Sequence, residues 1–160
     1  MYIHIVDHKG KSPTPQQQAD LLSLPCACAN LRRASRAVTQ LYDSMLRPVG
    51  MRSSQFTLLK VLVDKGPVRQ GVLGEWLALD STTLTRSLSP LKTAGWIDIR
   101  TGDDRRERLV ELTTLGKRQL RLGNREWARA QKQLEKRIGK QQWQELLSLT
   151  HQVTGLVRSG

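Results

Sequence analysis

Ser81, Thr82, Thr83, Thr85 and Arg86 place four hydroxyls and one guanidinium within six residues. Leu84, Leu88 and Leu91 run through and beyond them at spacings of four and three, the pattern of a helix with one buried side. The polar set is left on the outward side. Short hydroxyl side chains let a helix come close to base edges in a DNA major groove and exchange hydrogen bonds there, and an arginine reaches a guanine or a phosphate oxygen. In the usual docking of such a helix its N-terminal residues meet the bases, which favours Ser81, Thr82, Thr83 and Thr85 over Ser89. A second charged cluster follows at Asp103-Asp104-Arg105-Arg106. A guanidinium on a thin loop enters a narrow minor groove, where negative potential is concentrated. A neighbouring carboxylate holds that arginine extended, so less entropy is lost on binding. Asp104 is the candidate for the holding role and Arg106 for insertion, with Arg105 the competing choice.

These groups need elements to position them. Asp80 or Ser81 caps the helix through about Ala94, and Gly95 supplies its left-handed stop. Ahead of it Gln70 opens a short helix whose Leu73, Trp76 and Leu77, at i, i+3 and i+4, are expected to face inward; Ala78-Leu79-Asp80 turns the chain between the two helices. After it, Trp96–Arg100 and Arg108–Leu112 alternate apolar and polar residues around the turn Thr101-Gly102-Asp103-Asp104, as a hairpin with one buried face should. Val68-Arg69 adds a very short strand. Ser53-Ser54-Gln55 is read as the cap of a largely buried helix carrying Phe56, Leu58, Leu59, Val61, Leu62 and Val63, stopped at Gly66-Pro67.

The outer segments are helical as well. One helix is expected over about 16–46, with Pro25 a point of interruption, a stripe of Leu31, Ala34, Val38, Leu41 and Met45, and an end at Pro48 and Gly50. Residues 1–15, with prolines at 13 and 15, read as a mobile arm. Thr113 or Thr114 caps a long helix through about Gly139, its apolar side marked by Leu115, Leu122, Ala130, Leu134 and Ile138. A last helix over about 140–157 carries Trp143, Leu146, Leu147, Thr150, Val153 and Val157. The fold class is therefore mainly α with a small two- to three-stranded antiparallel wing. A winged helix-turn-helix lobe at 51–113 is flanked by a helix at 16–50 and by helices at 114–160, in one globular unit. Apolar stripes on the outer helices flank the central lobe without enclosing it. A second copy would bury them, which makes a homodimer held by the N- and C-terminal helices the expected assembly.

A formal net charge of +12 over 160 residues points to a polyanionic partner. One Phe and two Tyr give little support for single-strand binding on stacked aromatics. No run approaches the roughly 18 apolar residues of a membrane span, and Met1–Lys11 lacks the core of a secretory signal. The chain is accordingly read as cytoplasmic and reduced, with no membrane partner. His4, His8 and His151 have no ligating neighbours at metal spacing. No nucleophile-base pattern, paired carboxylates or phosphate loop stands out, so neither an enzyme, a metal nor a cofactor is implied. The basic run Lys117, Arg118, Arg121, Arg125, Arg129 and Lys132 reads as a solvated helix face that raises the local potential. A protein binding nucleic acid by charge alone, without regard to sequence, is the competing class.

Gly74-Glu75-Trp76-Leu77-Ala78-Leu79-Asp80-Ser81-Thr82-Thr83-Leu84-Thr85-Arg86, then Leu91 to Gly95, Asp104-Arg105-Arg106 and Leu112-Thr113-Thr114-Leu115-Gly116-Lys117 together resemble the MarR family of winged helix-turn-helix regulators. The match of element order covers about residues 25–158. The combination of recognition helix, D-x-R wing and L-T-x-x-G-K is far more specific than any one part. Trp76 and Trp96 depart from it, standing where smaller aliphatic residues are commoner. The resemblance implies a two-fold dimer on a pseudo-palindromic double-stranded operator, and repression relieved by a small, often aromatic or phenolic, effector bound between the dimerisation helices and the DNA-binding lobe. Tyr42, Arg47, Met51 and Phe56 are the candidate lining, with a core and helix-end role as the alternative. The family also includes peroxide sensors with a reactive cysteine in the first helix, which makes Cys26 and Cys28 candidate redox residues. Residues i and i+2 of a helix point about 200° apart, so at most one of them faces a given pocket.

Overall fold

The computed structural model describes residues 26–102, 104 and 107–158. The arm expected at 1–15, the start of the first helix at 16–25 and the wing residues Asp103, Arg105 and Arg106 lie outside them. The described residues form α1 (Ala27–Leu46), a single 3-10 turn (Arg47–Val49), α2 (Ser53–Lys65), β1 (Val68–Arg69), α3 (Gln70–Leu77), α4 (Ser81–Thr93), β2 (Ile97–Thr101), β3 (Arg108–Leu112), α5 (Thr114–Ile138) and α6 (Lys140–Arg158). The chain divides into two compact units, one up to Gln40 and one from Leu41 onward. No described helix is long and apolar enough to cross a membrane.

In the second unit, α2 contributes Phe56, Leu58, Leu59 and Leu62 to a core shared with Leu73 of α3 and with Leu84, Leu88 and Leu91 of α4. The sheet closes one side. Its strands run in the order β1-β3-β2, all antiparallel, with Val110 facing Val68 on one flank and Ile99 on the other. Val110 is fully buried, with β1 and β2 on either side of it. The stop after α4 is as expected: Gly95 has φ +69°, a region that strains residues bearing a Cβ.

From Gly95 the chain is tied to the start of α5. Thr113 caps α5 by accepting the Gly116 N–H at 3.0 Å, and its hydroxyl donates to the Gly95 carbonyl. The Thr113 N–H reaches the Trp96 carbonyl at 3.1 Å. Gly116 sits so close to that same carbonyl that a Cβ there would lie 2.0 Å from its oxygen.

Three expectations are corrected. Trp76 does not face inward: it is 47% exposed, with Lys65 Nζ 5.7 Å from its ring centroid, while Leu73 and Gly74 are buried and Leu77 is half-buried. Gly74 shifts the buried arc, because a Cβ there would approach the Leu79 carbonyl to 3.0 Å and Leu84 to 3.4 Å. On α5, Leu115 and Leu122 are about half exposed, whereas Gly116, Leu120, Gly123 and Ala130 are buried and Trp127 stacks on Phe56 with ring centroids 5.6 Å apart. Close approach at the two glycines, not the leucine spacing, selects the inward side of this helix. Finally, α2 is not capped by a serine hydroxyl. Its first N–H groups are taken by other side chains, Arg52 N by Gln55 Oε1 at 2.9 Å and Ser53 N by Asp43 Oδ1 at 2.7 Å.

The Gly116 contact makes a testable contrast with Gly155, which has open space around its missing Cβ. Gly116→Ala is expected to destabilise the chain by about 2–3 kcal/mol in urea unfolding, as overpacking against backbone does. Gly155→Ala, within α6, should instead be neutral or stabilising by up to about 1 kcal/mol.

Candidate nucleic-acid interface

Helix α4 starts at a carboxylate. Asp80 Oδ1 accepts the Thr83 N–H at 2.8 Å and Oδ2 accepts the Thr83 hydroxyl at 2.6 Å, which resolves the choice of cap in favour of Asp80. These bonds hold the Asp80 carboxyl below its ordinary value, the Thr83 hydroxyl contributing most. The turn before it is tight: Ala78 has φ +52°, the one non-glycine in the left-handed region among the described residues. The Leu79 N–H closes the turn on the Gly74 carbonyl at 2.9 Å.

From this start, Ser81, Thr82, Thr83, Thr85 and Arg86 all lie exposed while Leu84, Leu88 and Leu91 are buried. All five expected residues are thus exposed, but Thr83 lies two positions from both Ser81 and Thr85 and so points to a different side of the helix, about 160–200° away. Not all their hydroxyls are equally available. Besides Thr83, the Thr85 hydroxyl donates to the Ser81 carbonyl at 2.7 Å and accepts from Gln70 Nε2 at 3.1 Å.

The wing stands beside this surface. Asp104 is exposed, and its carbonyl accepts the Glu107 N–H at 2.9 Å, while the Glu107 carbonyl takes the Gly102 N–H at 3.0 Å. The hairpin is thereby closed at its base. Arg69 of β1 pairs with Glu107 at 2.9 Å and Arg100 of β2 with Glu111 of β3 at 3.1 Å. A cleft between the start of α3, the start of α4 and the wing base is lined in part by Arg69, Gln70, Ser81, Glu107 and Arg108. Arg69, Gln70 and Glu107 were absent from the expected site. Their partners lie 38 and 15 residues away in the chain.

The remaining candidates are distributed differently. Arg47 and Met51 line a second cleft with Asp43, Gly50, Arg52 and Gln55. Phe56 and Met51 are both buried in the core, Phe56 against Trp127, and the Tyr42 hydroxyl donates to Gln131, its burial raising the phenol above its ordinary range. Cys26 and Cys28 are exposed free thiols. Lys117, Arg118, Arg121, Arg125, Arg129 and Lys132 are all exposed, and Arg129 pairs with Glu126 at 2.9 Å. The described residues contain no cluster of three or more metal-ligating side chains.

The Asp80 cap gives a pH prediction. A carboxyl lowered in the folded state adds stability above its unfolded pKa and loses it as pH falls through the folded value. The stability advantage of wild type over Asp80→Ala should therefore be full at neutral pH and shrink as the pH drops below the ordinary 3.8. Asp80→Asn, which caps without ionising, should show no such convergence when thermal melting is followed across that range.

No family model matches the sequence. Over 83 residues the chain is 34% identical to YwoH, an uncharacterized HTH-type transcriptional regulator of Bacillus subtilis; the match covers 52% of this chain and 61% of that protein. The transcriptional regulator MosR of M. tuberculosis, solved in complex with DNA, has a TM-score of 0.71 and 28% identity, covering 82% of this chain and 98% of its own. PcaV of Streptomyces coelicolor, solved with its natural ligand, gives 0.74 and 26%, covering 85% of this chain and 95% of its own. These structural neighbours are MarR-family transcriptional regulators, and the chain has their winged helix-turn-helix fold.

Proposed function

We propose that the chain is a sequence-specific double-stranded DNA-binding regulator that works as a homodimer on a pseudo-palindromic operator, repressing until a small effector releases it. The observation that carries this reading is the solvent-facing surface of α4: a capped helix presenting Ser81, Thr82, Thr85 and Arg86 outward beside a closed hairpin. In this reading α4 lies in the major groove and the wing reaches the adjacent minor groove with Arg106. MosR is known with DNA and PcaV with a ligand, which supports both kinds of partner for this chain.

Dimerisation is supported by α6. Leu146, Leu149, Val153 and Leu156 recur along one stripe of that helix and are all exposed, Leu156 to 76%. A two-fold partner covers such a stripe and sets the two α4 helices one helical turn of DNA apart. The effector would bind the dimer in the form whose recognition helices are wrongly spaced for successive grooves. Arg47 and Met51 are the candidate contacts for it.

Three measurements test the reading. Arg106→Ala is expected to weaken binding to a duplex selected from a random library by about 1–3 kcal/mol while sedimentation still finds a dimer. Unchanged affinity would reject the wing assignment. Wild type should prefer the selected duplex over a scrambled one by more than about 10³-fold, which a protein binding by charge alone cannot do. For the dimer, Leu149→Glu with Leu156→Glu should yield monomers in sedimentation. The exposed thiols favour a second reading, in which peroxide weakens DNA binding through Cys26 or Cys28. Persistence of the peroxide effect in both Cys26→Ser and Cys28→Ser would exclude each thiol as the essential sensor.

A further inference from the structure

We propose that Thr85 reads the C5-methyl group of a thymine by apolar contact, and does not donate its hydroxyl to a base edge. The inference rests on the major-groove docking of α4 proposed above. A threonine hydroxyl has one proton and two lone pairs. In Thr85 the proton is given to the Ser81 carbonyl at 2.7 Å, and one lone pair receives the Gln70 amide at 3.1 Å. The oxygen is therefore held between its own helix backbone and the first residue of α3. Gln70 is half-buried, so this is not a side chain swinging freely over the surface.

Thr85 itself is exposed, midway along the outward surface between Ser81 and Ser89, each one turn away, with Thr82 and Arg86 beside it. With the oxygen bonded to the backbone and to Gln70, the Cγ2 methyl is the branch on Cβ that we infer this exposed position offers to a ligand. Branching at Cβ restricts χ1, so the methyl is presented in one orientation. The only base with a matching apolar group in the major groove is thymine, whose C5-methyl lies at the groove edge. Thr83 reinforces the pattern, since its proton is committed to the Asp80 carboxylate. In both threonines the hydroxyl proton is thus spent within the chain.

The test uses the full chain and the duplex it enriches from a random-sequence library. Each thymine in that duplex is replaced singly by deoxyuridine, which removes the methyl and leaves every hydrogen-bonding group of the base. Wild type should lose about fourfold in affinity at one thymine of each half-site, the factor expected for burying one methyl group. Thr85→Val, which keeps a methyl but no hydroxyl, should retain the deoxyuridine penalty. Thr85→Ser should bind the thymine duplex about fourfold more weakly and no longer distinguish thymine from deoxyuridine there. An enriched site at which no thymine methyl matters to wild type overturns the inference whether or not the variants fold. So does retention of affinity and discrimination by Thr85→Ser with loss in a folded Thr85→Val. Either result leaves the regulator reading intact, whereas failure to enrich any sequence removes that reading and this inference together.

Discussion

The polar joint between Gly95-Trp96 and Thr113–Gly116 is the contact on which the arrangement of the second unit depends. Three chain segments meet there: the end of α4, the entry to β2 and the start of α5. The Thr113 hydroxyl acts toward both sides, accepting from α5 and donating to the residue that terminates α4. Because Gly116 has no Cβ, α5 comes against the Trp96 carbonyl closely enough for these bonds to form. The long helix and the exposed helix are thereby referenced to one another without a flexible connection. A displacement of α5 that leaves α4 behind breaks the part-buried Thr113 cap. The packing at Gly123, where Met51 and Phe56 would crowd an added Cβ, extends the same close contact further along α5.

The polar residues around α4 follow a similar economy. Asp80, Thr83, Gln70 and Thr85 satisfy one another before any ligand arrives. A helix whose side chains are already fixed loses less conformational entropy on docking than one whose hydroxyls rotate freely. The wing base is oriented in the same way by Arg69–Glu107 and Arg100–Glu111. These pairs are partly exposed, so each adds little stability alone. Their effect is geometric, aligning β1, β2 and β3 at the end where the hairpin leaves the lobe.

Periodicity made much of this legible in the sequence. Leu84, Leu88 and Leu91 fixed the outward side of α4 because helix spacing is a local code, and the alternation in 96–100 and 108–112 located the hairpin to within a residue. The same code misled at Trp76 and at Leu115 and Leu122. Counting apolar residues gives weight to tryptophan and leucine and none to glycine, yet Gly74, Gly116 and Gly123 decide which sides approach their neighbours. The Arg69–Glu107 pair had no local signature at all. It follows only once β1 is set opposite β3, where Arg69 faces Leu109 and so stands near the residue that precedes β3. Phe56 and Tyr42 looked like pocket residues from their position beside a helix junction. Sequence distance concealed their contacts with Trp127 and Gln131.

Ala78 has a consequence for how the chain can change. Its left-handed backbone joins α3 to α4 at a cost a glycine would not incur, roughly 1 kcal/mol. The turn therefore stores strain at a position that contributes no side chain to the outward surface of α4. Asparagine tolerates this backbone region without the full unfolded-state entropy of glycine. The lobe can accordingly gain robustness at its tightest bend without any change in α4, although Ala78 borders the cleft that Ser81 also lines. That separates the stability of the bend from the composition of α4, and lets the one drift while the other is held.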